Sequence, residues 1–330
     1  MDSLLTELRA AAEPTRLRLL ALCARGAWCV SDLVAILGQS QPRLSRHLKL
    51  LVEAGLLVRT PEGANAWFQL APDADLARQV LARLPEEDPL LAADRRAAAR
   101  LAAERARAAS ESFRRHGADW DELRALGLPA AAIEAATDAA LPARIGRLLD
   151  IGCGTGGLLE RLAPRIDEGV GVDASRDMLA LARTRLAERG LSHIAVRQAD
   201  MYRLPIADSA FDAVTLQMVL HYAEDPAAAL AEAARVLKPG GVLVVIDLAP
   251  HGRAELLGGA FAHRWPGFDD AGIAGWLGAS GCVPAHIGTV AVGRAETGVA
   301  VGPAETNEAE LPVRVWVAER MTRPVSVPAS

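Results

Sequence analysis

At 330 residues the chain is long for one domain, and two is the natural division. Hydrophobic residues make up 51 %, enough for a core in each, and the net charge of −5 marks neither a nucleic-acid nor a membrane partner. No apolar run approaches the ~20 residues of a membrane span, and Met1-Asp2-Ser3-Leu4-Leu5 lacks the basic start of a secretory signal, so the expectation is a soluble, cytoplasmic protein with no membrane partner.

Charge is unevenly spread: residues 1–72 carry a net +2 and the remainder −7. A mildly basic head on an acidic body is compatible with nucleic-acid contact by the head. Within it, Glu13-Pro14-Thr15 opens a helix through Leu17, Leu19, Leu20 and Leu22 that Gly26 closes. Ser31 is expected to cap a short helix, Asp32 to Leu37, stopped by Gly38. Ser40 caps the next, with Pro42 in its first turn, where a missing N–H is harmless. Leu44, Leu48 and Leu51 recur at helical spacing before Gly55. Leu56–Thr60 and Ala66–Leu70 read as two strands around the 61–64 turn.

Residues 73–140 are rich in Ala and Arg and predict a helical linker and cap. Propensity predicts one long helix from Ala92 to Arg115, whose seven arginines and three acids suit a solvated face, with approach to DNA as the alternative. Trp120, Leu123 and Leu126 lead into a shorter helical segment ending near Ala140. From Arg147 strands alternate with amphipathic helices: Arg147–Ile151, Gly169–Asp173, His193–Gln198, Asp212–Gln217 and Gly241–Leu248 are predicted strands, the pattern of a doubly wound α/β sheet. Ala285–Val292 and Val313–Glu319 form an expected terminal hairpin, with a mobile loop over 293–311 between them. The expected division is 1–72, 73–140, 141–322 and a frayed tail, 323–330.

The strand ending at Asp150 runs into Gly152, Gly154 and Gly156 and then a helix, a nucleotide-binding arrangement. Glycines let a ligand approach the backbone, and the helix start offers free N–H donors. The Gly-x-Gly-x-Gly spacing is tighter than the dinucleotide Gly-x-Gly-x-x-Gly and suits a cofactor with an amino-acid tail. Asp173 ends the second strand, where a carboxylate holds two ribose hydroxyls; Asp200 and Met201 follow the third; Phe211-Asp-Ala-Val leads to Leu216-Gln217; and Arg235-Val-Leu-Lys-Pro-Gly-Gly241 enters the fifth. In this order, over roughly residues 110–320, the chain resembles the class I S-adenosylmethionine (SAM)-dependent methyltransferases of the UbiE-like branch. The resemblance implies a Rossmann-like seven-stranded sheet with an antiparallel terminal hairpin, and SAM or S-adenosylhomocysteine (SAH) as cofactor. It places Asp150, Gly152, Gly154 and Gly156 at the methionine side, Asp173 at the ribose, Asp200 and Met201 at the adenine and Gln217 beside the sulfonium, with Met178 among the cofactor-binding residues.

Residues 12–70 resemble the ArsR/SmtB winged-helix repressors, through Ala12-Glu13-Pro14-Thr15-Arg16-Leu17, Ser40-Gln41-Pro42-Arg43-Leu44-Ser45-Arg46-His47-Leu48-Lys49 and Glu53-Ala54-Gly55-Leu56-Leu57. The resemblance implies a winged helix-turn-helix, a double-stranded DNA operator and a homodimer through this domain. With the leucines on one face, Gln41, Arg43, Ser45, Arg46 and Lys49 remain to read DNA, while Arg59 reaches phosphate or the minor groove. Metal-sensing members carry Cys-Val-Cys where this chain has Cys29-Val30-Ser31; one thiolate does not build such a site, so Cys23 and Cys29 are expected to pack and no metal is expected.

Methyl transfer to an acceptor that loses a proton needs a base, and His221, His251 and His263 are the candidates. Leu216-Gln217-Met218-Val219 departs from the Asn/Asp-Pro-Pro-Tyr/Phe run of amino-methylating DNA enzymes, and no Pro-Cys nucleophile for cytosine C5 is present. Ser112-Phe113 stands where the family's capping segment often has Tyr-Phe. Two readings stay open: an ArsR-type regulator whose DNA affinity responds to SAM or SAH, and an active small-molecule methyltransferase whose winged helix mainly dimerises. DNA-targeted methylation is the least favoured.

Overall fold

The computed structural model describes residues 2–62, 65–85, 88–116, 128, 130–253, 256, 263–290 and 311–322. The expectations for the tip of the 61–64 turn, Trp120 to Leu126, residues 293–310, the 323–330 tail and the side chains of Ser112 and Phe113 lie outside this description.

Packing divides the chain into two compact units: Met1–Ser112 with Gly154–Ala163 and Ser175–Gln198, and Phe113–Cys153 with Pro164–Ala174 and Ala199–Ser330. The first begins with α1 (Asp2–Ala11), which the sequence reading did not anticipate, and α2 (Pro14–Cys23). The Glu13 side chain caps α2 by accepting from Arg16 N, and Ala24 rather than Gly26 ends it. β1 (Trp28–Cys29) is a further missed element; two residues give too little pattern to read, and its pairing with β3 fixes it.

α3 (Val30–Leu37) starts earlier than expected, capped at Cys29 rather than Ser31, because the Asp32 carboxylate reaches back to accept from Cys29 N (3.1 Å). α4 (Gln41–Glu53) follows as predicted after Ser40, although the Ser40 side chain makes no capping bond. Its Leu44, Leu48 and Leu51 are buried, each contributing roughly 1.5–3 kcal/mol. β2 (Leu57–Glu62) and β3 (Asn65–Leu70) pair antiparallel as the wing. After α5 (Asp75–Leu81), α6 (Pro89–His116) begins before Ala92, and its buried Asp94 accepts two bonds from Arg18 of α2, both 2.7 Å.

α7 (Ala130–Ala140) leads to β4 (Ile145–Ile151), α8 (Gly157–Leu162), β5 (Ile166–Asp173), α9 (Arg176–Glu188), β6 (Ile194–Gln198) and β7 (Phe211–Gln217). α10 (Pro226–Val236), β8 (Leu237–Leu248), α11 (Asp270–Ala279), β9 (Cys282–Thr289) and β10 (Val313–Arg320) complete the described elements. The sheet order is β6-β5-β4-β7-β8-β10-β9. β4 pairs parallel with β5 and β7, β7 parallel with β8, and β10 antiparallel with both β8 and β9, so the Rossmann-like sheet with an antiparallel final pair is present. The strands begin earlier than expected by two residues at β4, three at β5 and β9, one at β7 and four at β8; β6 begins one residue later than expected and β10 where expected.

One connection differs in kind: no helix joins β6 to β7. Pro205 lacks an N–H, Ser209 has a positive φ (55°), and side chains satisfy the backbone instead of a helical ladder. Glu232 accepts from Leu204 N (2.6 Å), and Arg235 donates to the carbonyls of Leu204 and Ile206. The core on the sheet is aliphatic, with Leu149, Ile151, Val214, Leu216, Leu243 and Val245 almost wholly buried.

Candidate functional site

β4 lies where the strand order reverses, and in open α/β sheets ligands bind beyond the carboxyl ends of strands at that point. It delivers Asp150, 2 % exposed, whose carboxylate accepts from Thr215 Oγ1 (2.7 Å). Gly152 N and Cys153 N both donate to the Val172 carbonyl (2.8 and 3.0 Å). The chain turns with positive φ at Gly152 (74°), Gly154 (51°) and Gly156 (76°). A Cβ on Gly152 would lie 2.3 Å from Val219 Cγ2, closer than real atoms approach. At Gly152 the turn is therefore closed to L side chains both in conformation and in space. Thr155 Oγ1, buried, has no hydrogen-bond partner among the described residues. A buried acid followed by a glycine turn is chemically suited to a polar, amino-acid-like ligand group.

The other predicted cofactor residues fall on strand ends and loop starts. Asp173 is half-buried at the end of β5, and its carbonyl accepts from Ala199 N (3.1 Å). Met178, half-buried, is in the first turn of α9, where its N–H donates to the Ser175 hydroxyl (3.3 Å). Asp200 is exposed and accepts from Tyr202 N (3.0 Å), while Met201 packs on the core. Gln217 ends β7, and its Oε1 accepts from the hydroxyl of Thr137 on α7 (2.9 Å).

The three histidines follow β7 and β8. Met218, with φ 53°, carries the chain from Gln217 into a short 3-10 turn, Leu220–Tyr222. Positive φ in a non-glycine residue is strain of the kind that collects at functional loops. His221 is 1 % exposed, and its Nδ1 lies 2.7 Å from Asp247 Oδ1. Asp247 is fully buried and also accepts from the N–H groups of Leu220 (2.8 Å), His221 (3.3 Å) and Leu248 (2.8 Å).

Four donors converge on this carboxylate, with His221 Nδ1–H among them, so the carboxylate orients the ring. His263 is also buried; its ring centroid is 4.3 Å from that of His221 and 5.5 Å from that of Tyr222. Arg264 N donates to the His221 carbonyl (2.9 Å), and His251 N to the Pro266 carbonyl (2.9 Å). His221 and His263 thus meet, while His251 is half-buried with Nδ1 accepting from Arg253 N (3.2 Å). Sequence reading missed Asp247, although a lone acid inside Val242–Leu248 was the available signal. It also missed Tyr222, Thr137 and Thr215.

In the first unit, Gln41, Arg43, Ser45, Arg46 and Lys49 of α4 are all exposed, as is Arg59 on β2. Lys49 lies 3.7 Å from Glu53, an exposed pair. His47, on the inner side, is 3.7 Å from Glu13; burial holds its pKa below the usual histidine value, Arg16, Arg43 and Arg46 lower it further, and Glu13 opposes them. Cys23 is fully buried, which pushes its thiol up to about 12, so it stays a neutral packing group. Cys29 is buried with Sγ 3.0 Å from Ser31 Oγ. Among the described residues no cluster of His, Cys, Asp and Glu suits a metal ion, and no helix is long and apolar enough to cross a membrane.

Residues 13–58 match the family model for bacterial regulatory proteins of the arsR family, and residues 149–245 match a methyltransferase-domain model. Two separate parts of the chain are thus similar to an arsR-type helix-turn-helix and to a methyltransferase domain. Over 117 residues it is 43 % identical to the demethylmenaquinone methyltransferase of Thermus thermophilus, covering 35 % of this chain and 53 % of that one. It is 35 % identical over 101 residues to an uncharacterized methyltransferase, YcgJ, of Bacillus subtilis, covering 31 % of this chain and 40 % of that one. The crystal structure of YcgJ aligns with a TM-score of 0.47 at 16 % identity, over 59 % of this chain and all of that one. The chain spans between about a third and about half the length of these curated relatives and of a 37.1 kDa protein in transposon TN4556 of Streptomyces fradiae, to which it is 42 % identical over 110 residues.

Proposed function

We propose that the protein is a cytoplasmic transcriptional regulator whose winged helix, as a homodimer, binds a double-stranded DNA operator with an affinity set by SAM or SAH in the methyltransferase domain. The observation supporting this reading is that two features coexist in one chain. They are a glycine turn, after a buried Asp150, that admits no side chain at Gly152, and a helix, α4, whose Gln41, Arg43, Ser45, Arg46 and Lys49 are exposed. The division into a head (1–72), a helical linker and cap (73–140), a SAM domain (141–322) and a tail (323–330) belongs to the same proposal.

Asp150, Gly152, Gly154 and Gly156 would hold the methionine end of the cofactor, Asp173 the ribose, Asp200 and Met201 the adenine, with Met178 and Gln217 completing the site. Bound SAM supplies an electrophilic methyl group on a sulfonium. An acceptor losing a proton would give it to His221 Nε2, with Asp247 holding the ring and stabilising its charged form; His263 and His251 are the other candidate bases. That arrangement supports methyl transfer to a small molecule alongside regulation. A head serving mainly to dimerise is favoured by one observation, the exposed Leu4, Leu5 and Leu8 of α1.

On the regulatory reading, Gln41, Arg43, Ser45, Arg46 and Lys49 enter the major groove and Arg59 meets phosphate or the minor groove. The test pairs calorimetry of SAM and SAH with binding of the full chain to DNA from upstream of its own gene. Tight cofactor binding with DNA affinity that differs between free and loaded protein supports the proposal. Cofactor binding and methyl turnover without specific DNA binding favours the dimerising head.

A further inference from the structure

The first unit contains a continuous line of contacts from the glycine turn to the wing, and α9 is its middle. Gly156 sits against α9 so closely that a Cβ there would lie 3.3 Å from Ala182 Cβ. The next residue, Arg183, stacks its guanidinium on the ring of Trp67, 3.6 Å from the ring centroid, and donates to the Val196 carbonyl (3.2 Å). Trp67 belongs to β3, where it pairs with Thr60 of β2 and Cys29 of β1. Two residues on, Gln69 donates to the Ser192 (2.7 Å) and Ile194 (3.3 Å) carbonyls, in the stretch that follows α9.

The same helix meets the head elsewhere. A Cβ on Gly26 would touch Ala187 Cβ at 3.5 Å, and the Thr184 hydroxyl donates to the Ala102 carbonyl of α6 (3.4 Å). At its start α9 carries Ser175 and Met178, and Arg176 donates to Gln198 (3.0 Å).

We infer that α9 is a ligand-responsive relay, in which cofactor held at the glycine turn and the α9 N-terminus sets the position of the wing strands through the Arg183–Trp67 stack. This deepens the proposed regulation and rests on the SAM/SAH reading. The physical basis is specific. A close-packed helix moves as a unit rather than deforming, and shifts of one or two ångströms at such contacts are a common way of switching an interface. Ala182 and Arg183 are adjacent, so whatever seats the glycine turn against the helix seats the stack one residue on. A planar guanidinium over an indole is directional, and loses its attraction when the helix slides or rotates beneath it. Arg59 and the wing lie on the strands that Trp67 joins, so their presentation to DNA follows. A ligand shifts this equilibrium only by its difference in affinity between the two arrangements.

Hydrogen–deuterium exchange of the full-length protein, with and without saturating SAH, tests the relay. In the wild type SAH should slow exchange of the amides of α9 and of β2–β3 by ~5-fold or more. Arg183→Gln should keep SAH affinity within about two-fold by calorimetry, protect α9 as before, and lose the wing response. Trp67→Leu removes the other half of the stack and should give the same separation, so a fault in either variant's folding does not decide the matter. SAH binding that leaves wild-type wing exchange unchanged, or wing protection that survives both substitutions, overturns the relay while leaving the cofactor site standing. Failure of SAH to bind the wild type overturns the cofactor reading and the relay with it.

Discussion

α4 and α9 are both 13-residue helices that bury a stripe of three, Leu44, Leu48 and Leu51 in one and Leu179, Ala182 and Leu186 in the other. They differ in what their polar residues do. α4 leaves Gln41, Arg43, Ser45, Arg46 and Lys49 in solvent, whereas α9 engages Arg176 with Gln198, Arg183 with Trp67 and Val196, Thr184 with Ala102, and Arg185 with Glu160. Solvated donors suit an external partner that supplies acceptors, as a phosphate backbone does. Engaged donors suit transmission, because they fix neighbouring elements to one another. On the proposed function, the same amphipathic pattern serves as a reader in one place and a connector in another.

The largest effect expected in breaking this comparison lies in the glycine turn itself, at Gly152, four residues before the Gly156 contact with α9. Gly152→Ala places a Cβ on Val219 in a positive-φ conformation, a combined cost of roughly 2–5 kcal/mol. Calorimetry should find SAH binding reduced at least about 30-fold, and unchanged affinity would remove the turn from the cofactor site. Asp247→Asn comes next. It removes a buried carboxylate on which four donors converge, and chemical denaturation should report a loss of roughly 2–4 kcal/mol. A loss below about 0.5 kcal/mol would mean that His221 is held by its packing alone.

On the reader helix the effects should be smaller and dependent on salt. Arg43→Ala and Arg46→Ala should each weaken DNA binding by roughly 1–3 kcal/mol if they read bases. If they meet phosphate, the salt slope should fall by about 0.9 each. Measuring the affinity at three salt concentrations separates the two roles, and variants indistinguishable from wild type would take α4 off the DNA. His47 gives the smallest effect. Its pKa is depressed in the folded state, so the unfolded chain binds the proton more readily and stability falls as pH drops through the ordinary histidine range. His47→Gln should flatten this slope between about pH 7 and 5 in thermal unfolding curves. A slope unaltered by the substitution would assign it to other groups.

What sequence reading reached, and what it missed, divides along the same line. α4 was legible because Ser40, Pro42 and the leucine spacing are local signals, and the Asp150–Gly156 turn was legible because its glycines carry the chemistry themselves. The histidines were found as residue types near strand ends, yet which of them meet was not, because the Asp247–His221 bond closes over 26 residues and the His263 contact over 42. Trp67 and Arg183, 116 positions apart, left no trace in periodicity. β1 was too short for a pattern, and the β6–β7 connection was misread because side chains of Glu232 and Arg235, from α10, satisfy its backbone. Local chemistry is written in the sequence, whereas engaged polar groups are defined by partners that only the fold supplies.

The central claim is that occupancy of the cofactor site changes how the head binds DNA. The most direct measurement is fluorescence anisotropy of the full chain on upstream DNA at fixed salt, with no ligand, saturating SAM and saturating SAH. An affinity that changes ~10-fold or more between the free protein and at least one loaded form is the predicted result. An affinity equal in all three, with calorimetry confirming that the ligands are bound, would contradict it.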